Sequence, residues 1–214
     1  GGERTTAWGL LFATAYHRGT QNTINRLNTV FNDTILNRIY SNAGDSRATG
    51  LELGAEVEPL PFWKGYLSFN GYRFQQEGQL FGNRVVFDRD AFQFSLNTTQ
   101  TFQLPREYSL QLAFNYLSER VTAQGEDSRF YNPSLTLTRD FLDGRLTANF
   151  QWLSIDMGLL NSNEQNITTR GERFFNTTKY IYEVDRLMLS VNYRLSGKDF
   201  QPDFVESEFG EREF

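Results

Sequence analysis

Hydrophobic and polar residues alternate one by one along most of this chain. Tyr108, Leu110, Leu112, Phe114 and Tyr116 fall on one side of an extended segment, with Ser109, Gln111, Ala113 and Asn115 on the other. Side chains along a strand point to opposite faces with period two, so this spacing predicts a strand with one apolar face. In 8–18, Trp8, Leu10, Phe12 and Tyr16 stand against Gly9, Ala13 and Ala15. In 50–58, Leu51, Leu53, Ala55 and Val57 oppose Glu52, Gly54, Glu56 and Glu58. Stretch 65–73 sets Leu67, Phe69 and Gly71 against Ser68, Asn70 and Tyr72, and 92–102 sets Phe92, Phe94, Leu96 and Phe102 against Gln93, Ser95, Asn97, Thr99 and Thr101. Segments 131–141 and 145–154 follow, then 186–195, with Leu187, Leu189, Val191, Tyr193 and Leu195 opposite Met188, Ser190, Asn192 and Arg194. These make eight strands, each near the 9–11 residues that cross a bilayer at a tilt. No stretch of that length reads as an amphipathic helix, and the pattern predicts an all-β protein.

The connections are sorted by length. Tight ones at 59–63, 104–107 and 142–145 alternate with long polar ones at 19–46, 77–89, 122–129 and 157–185. Strict alternation gathers every short turn at one end and every long loop at the other. A soluble sandwich has no reason to do this, whereas outer-membrane barrels pair short periplasmic turns with long extracellular loops. Asp143-Gly144 suits the positive φ values of a type I′ hairpin. Weaker strand-like segments at 34–42 and 174–183 read as hairpin extensions of two long loops, above the membrane.

Composition narrows the choice of solvent for the apolar faces. Aromatic residues make up 15% of the 214, yet mean hydropathy is −0.53; such a chain suits one-sided strands better than a thick buried core. Tyr108 and Tyr116 bracket an aliphatic centre, as do Phe92 and Phe102, the placement expected of interfacial aromatic girdles. The apolar faces therefore read as lipid-facing. No run approaches a membrane helix. The N-terminus carries no signal peptide, so an exported protein would be present in mature or truncated form. There is no cysteine, which excludes thiol chemistry. A net charge of −5 with no basic stripe gives no support for a nucleic-acid partner.

Several stretches resemble the C-terminal barrel of TonB-dependent outer-membrane receptors and related outer-membrane β-barrel families. Segment 40–74 carries Asn42, Gly44, Gly50 and Glu52 at the matching points of an Asn-x-Gly, a Gly-x-Glu strand, a short turn and an aromatic-rich rising strand. Segment 118–125 is similar to a loop that precedes a descending strand, and 186–195 to the final strand. The resemblance implies an antiparallel transmembrane β-barrel in the outer membrane of a Gram-negative cell, crossing many times, with about eight spanning strands here out of a barrel of 22. It implies uptake of a large or scarce solute driven through TonB and a plug domain, with a surface lipoprotein as a further partner. Leu187, Leu189, Val191, Tyr193 and Leu195 would then form the assembly-signal strand read by the outer-membrane assembly machinery. Two departures stand out: neither the plug nor the first fourteen strands is present, and 197–214 follows the final strand. The alternative is an autonomous small barrel acting as a structural or protein-binding module.

On this reading 1–196 forms the barrel strands and loops, and Gln93, Asn97, Gln111, Asn115, Asn149 and Gln151 line the lumen. Glu52, Glu56 and Glu58 share that inward face, as a cation or substrate surface or as a hydrated wall contacting basic residues of a plug or facing strand. His17 is the single histidine and has no acid or nucleophile beside it in its strand, so no enzymatic activity is expected. Neither 42–46 nor 125–129 offers the spaced ligands of a calcium loop, and no metal or cofactor is assigned. The acidic tail 197–214, with Phe200, Phe204, Phe209 and Phe214, would lie in the periplasm, as an assembly or partner contact or as a disordered end.

Overall fold

Where the sequence alternates, the chain pairs. The computed structural model describes residues 1–32, 35–42, 44–80, 85–158, 164–171 and 173–195. In chain order the strands are β1 (Gly2–Thr6), β2 (Gly9–Thr20), β3 (Ile24–Asn32), β4 (Ile35–Asn42), β5 (Asp45–Leu60), β6 (Trp63–Leu80), β7 (Val85–Leu104), β8 (Tyr108–Leu117), β9 (Arg120–Thr122), β10 (Gly125–Asp127), β11 (Phe130–Phe141), β12 (Leu146–Leu153), β13 (Glu164–Gly171), β14 (Phe174–Ile181) and β15 (Arg186–Tyr193). Nine of them form one sheet in the order β1-β2-β5-β6-β7-β8-β11-β12-β15, antiparallel at every step. All eight expected strands lie in this sheet. The ninth, β1, has the sequence GERTT, whose polar run gives no alternation to read. The sheet is open, with β1 and β15 as its edges.

The loop sorting is realised as expected. Ala7-Trp8, Pro61-Phe62, residues 105–107 and residues 142–145 join strands at one end. In the last of these, Asp143 and Gly144 both have positive φ (55° and 78°), and the Arg145 N–H donates to the Leu142 carbonyl at 3.2 Å, which fits the hairpin chemistry expected of Asp-Gly. At the other end the long connections fold further: β3-β4 is a hairpin, and β14-β13-β10-β9 is a separate four-stranded sheet. Both strand-like segments noted in the long loops, now β4 and β14, are hairpin strands. Segment 77–89 differs from expectation. Pairing between β6 and β7 continues to Leu80↔Val85, because Glu77–Leu80 and Val85–Asp88 keep extending two strands already locked in register.

Register sorts the two faces. Leu53↔Phe69, Phe69↔Leu96, Leu96↔Tyr116, Tyr116↔Tyr131, Leu135↔Trp152 and Trp152↔Leu187 run across one side of the sheet. Aromatic rings touch along it, with centroids of Phe94 and Tyr116 5.4 Å apart, and of Phe69 and Phe94 6.0 Å apart. At the turn end, Trp63 stacks on Phe102 at 6.0 Å. From Phe92 to Phe102 this apolar band covers roughly 25 Å of height at a 40° tilt, the thickness of a barrel's apolar belt. Toward the loop end it stops at charge: Arg73 Nε donates to Asp90 Oδ1 at 2.8 Å, and Arg47 lies 3.6 Å from Glu77. The hydrogen bond from Arg73 holds the Asp90 carboxyl below the usual carboxylate range. Within the band, Thr98 and Gln100 bond each other (2.8 Å), and Trp63 Nε1 donates to Gln100 (2.8 Å), so neither polar side chain is left unpartnered. Arg4 on β1, level with Leu11, is an exposed charged residue on this face.

One expectation is overturned on β2. Leu10, Phe12 and Tyr16 lie on the polar face, level with Glu56, Gly54 and Gly50, while Gly9, Leu11, Ala13 and Ala15 take the apolar side. The reason is space. The Phe12 ring lies directly over Gly54, where a Cβ would collide with it, and a Cβ on Gly50 would sit 2.8 Å from the Tyr16 hydroxyl. Large side chains here cover glycine backbone inside the sheet, and size misled the assignment of faces.

Gly54→Val is expected to cost about 1–3 kcal/mol, because the branched side chain must displace Phe12. The double variant with Phe12→Ala should recover most of that loss beyond the cost of Phe12→Ala alone, read from urea-unfolding midpoints.

Candidate functional site

Every polar residue expected in a lumen lies on one wall. Gln93 on β7 faces Tyr72, Asn97 pairs with Asn115, Gln111 sits between Thr101 and Thr136, and Asn149 and Gln151 face Thr138 and Thr136. Their surroundings differ. Gln93 is buried and accepts from the Tyr72 hydroxyl at 3.1 Å. Asn149 donates to Thr138 at 2.9 Å, whereas Gln111 and Asn115 are exposed. Leu187, Leu189, Val191 and Tyr193 share the apolar face of edge strand β15, while Leu195 lies beyond the strand and is fully exposed. The tail 197–214 lies outside the described residues.

Toward the loops this wall opens into a cleft of about 480 Å³ between β2, β5 and β6, lined by Tyr16, Arg18, Glu52, Asn70 and Tyr72. Tyr16 donates to Asn70 Oδ1 at 2.8 Å. Two tyrosine rings, a guanidinium, a carboxylate and an amide can bind a polar solute by hydrogen bonds and ring contact. Nearer the turns, a second cleft of about 520 Å³ holds Glu56, Glu58 and Lys64. Lys64 pairs with Glu58 at 2.8 Å; both are exposed, so the pair adds little stability. The three carboxylates thus share one face but not one pocket, since Glu52 lines the first cleft and Glu56 and Glu58 the second. His17 is on the opposite, apolar face at its loop-ward margin, with Nδ1 2.7 Å from Thr49 Oγ1.

Above the wall the hairpins of three connections join. Gln124, in the turn between β9 and β10, is 5% exposed. Its side-chain amide pairs with the backbone of Asn28 on β3 as a strand would, accepting from the N–H at 2.7 Å and donating to the carbonyl at 3.0 Å. Its own carbonyl accepts from Arg170 N–H at 2.7 Å, and Asn28 Nδ2 donates to Thr169 at 3.0 Å. Gln76, on the extension of β6, donates to Asn25 at 3.0 Å. Leu27, 1% exposed, is buried in this layer. Sequence reading missed Gln124 and Asn28. Their sole signal is a Gln-Gly pair in a short turn, and their partners lie 96 residues apart in the chain.

An open antiparallel meander with one apolar face, one polar wall and loops sorted by length is consistent with the wall of an outer-membrane β-barrel. A family model for the outer membrane protein beta-barrel family matches residues 4–193. The chain belongs to that family, and the outer membrane is where it acts. No curated protein and no solved structure matches it.

Leu112→Arg, on the lipid side at mid-strand, should cost about 2–4 kcal/mol in folding into lipid vesicles. The neighbouring Gln111→Arg, on the polar wall, should stay within about 0.5 kcal/mol. Gln124→Ala leaves the Asn28 amide without a partner and should loosen the hairpin layer by about 1–3 kcal/mol. Faster amide exchange and protease cleavage in β3 and β13, with the main sheet unchanged, would register it.

Proposed function

We propose that this chain is the C-terminal barrel segment of a TonB-dependent-like receptor that takes up a large or scarce solute across the outer membrane of a Gram-negative cell. What carries the reading is strand direction. Nine strands paired antiparallel at every step leave β1 and β15 running the same way, so joining these edges directly would need a parallel seam. Bacterial single-chain barrels close on an even number of antiparallel strands. An odd number of further strands, as a larger barrel supplies, removes the mismatch and gives Arg4 a neighbour. The alternative, an autonomous small barrel acting as a protein-binding module, closes antiparallel only if the five-residue β1 gives way and β2 meets β15.

On this reading the chain crosses the membrane many times. The polar wall with Gln93, Asn97, Gln111, Asn115, Asn149 and Gln151 flanks the solute path, and the cleft around Tyr16, Glu52 and Tyr72 is a resting place on it. A plug domain occupies the barrel and couples it to TonB. The hairpin layer receives the solute and any surface lipoprotein, Leu187–Leu195 is read by the assembly machinery, and the tail 197–214 lies in the periplasm. On this reading the role is transport without catalysis.

The absence of cysteine from these 214 residues permits a direct test, with any cysteine elsewhere in the full-length protein replaced by serine. A cysteine at Thr5 is paired in turn with one at Met188, Ser190 or Asn192, all on the polar face, in membranes of cells making the full-length protein. Absence of any intramolecular disulfide is expected, and its formation would establish self-closure. In parallel, spent medium from cells with and without the full-length gene is compared by mass spectrometry, with and without a protonophore. A solute depleted only by energised, gene-positive cells is expected; identical media would refute uptake.

A further inference from the structure

Family membership sets the apolar face of the sheet against lipid; among the described residues two arginines on that face, Arg4 and Arg139, take part in no ion pair, and Arg139 is the one set between aromatic rings. Arg139 is on β11, just before the 142–145 turn, in register with Tyr108 and Ala148. It shares parity with Leu135 and Leu137, so its side chain stands on the lipid side. Its guanidinium carbon lies 4.7 Å from the centroid of the Tyr108 ring and 4.3 Å from that of Phe141. Arg139 Nη1 donates to the Tyr108 hydroxyl at 2.9 Å, and Nε is buried with no hydrogen-bond partner.

Among the described residues no carboxylate reaches Arg139. Its neighbour Asp140 faces the polar wall and accepts from Thr147 at 2.6 Å. The contrast with the loop end is sharp, because Arg73 and Arg47 on the same face pair with Asp90 and Glu77. Aromatic faces attract a cation and hold its plane, but they bring no net charge. A guanidinium carries five N–H donors, and the ring hydroxyl takes only one. The remaining donors and the charge call for an anion from outside the chain.

We propose that Arg139, held between Tyr108 and Phe141, binds the phosphate of a glycerophospholipid in the leaflet at the turn end of the barrel. A planar guanidinium matches phosphate oxygens in a forked geometry. The depth also fits, since Arg139 lies level with the girdle aromatics at the end of the band where Trp63 and Phe102 stack. The proposal rests on the membrane reading and not on transport.

The test uses the full-length protein in detergent micelles, titrated with dimyristoylphosphatidylglycerol and followed by native mass spectrometry. Wild type should retain one lipid that Arg139→Gln holds about tenfold or more weakly, and inorganic phosphate in large excess should leave that lipid in place. Equal retention by a folded Arg139→Gln protein would overturn the site, and displacement by inorganic phosphate would overturn the lipid as its ligand. Folding is checked by heat-dependent gel mobility. Should Arg139→Gln fail to fold, Arg139→Lys decides: about threefold or greater weakening supports forked recognition, and unchanged retention refutes it. Failure of the membrane reading would look different, as wild-type protein remaining monomeric in buffer without detergent.

Discussion

A peptide group placed in hydrocarbon must find its hydrogen-bond partner within the protein, because there is no water to supply one. This constraint organises the whole molecule. It forces each crossing segment to pair on both sides, so the nine-stranded sheet is continuous from β1 to β15. It also makes the two open edges the least settled part of the chain, since each presents a row of unpaired backbone groups. Strand direction turns that chemical requirement into an architectural one: two edges running the same way are satisfied by further strands more readily than by each other.

With the backbone committed to pairing, side chains alone distinguish the two faces. Apart from Arg4 on edge strand β1, the apolar face carries rings and aliphatics with charge only at its margins, and its internal polar residues are tied down, as Gln100 is to Thr98 and Trp63. The polar wall is built differently. Its residues bond across strands, Tyr16 to Asn70 and Tyr72 to Gln93, and leave clefts between them. A wall of this kind offers a polar solute hydrogen-bonding groups and space.

The margins of the band are handled in two ways. At the loop end arginines meet carboxylates on neighbouring strands, so each of those cations is matched within the chain. At the turn end Arg139 meets rings instead and is left to find its anion in the bilayer. Above the loop end, the hairpin layer does not rely on a large apolar core. A single side-chain amide, Gln124, stands in for a missing strand and joins three connections through backbone groups.

The sequence by itself determined eight strands of the main sheet, their order and the tight turns between them, because period-two alternation and turn chemistry are local properties. It also placed Gln93, Asn97, Gln111, Asn115, Asn149 and Gln151 on one face, since parity within a strand follows from counting. Tertiary structure alone decided what depends on a neighbour. The short polar β1 is a strand only because β2 offers it an edge. Phe12 and Tyr16 face the polar wall because Gly54 and Gly50, on another strand, leave room for them. Gln124 meets Asn28 and Arg170 through contacts between segments far apart in the chain, which no local pattern encodes.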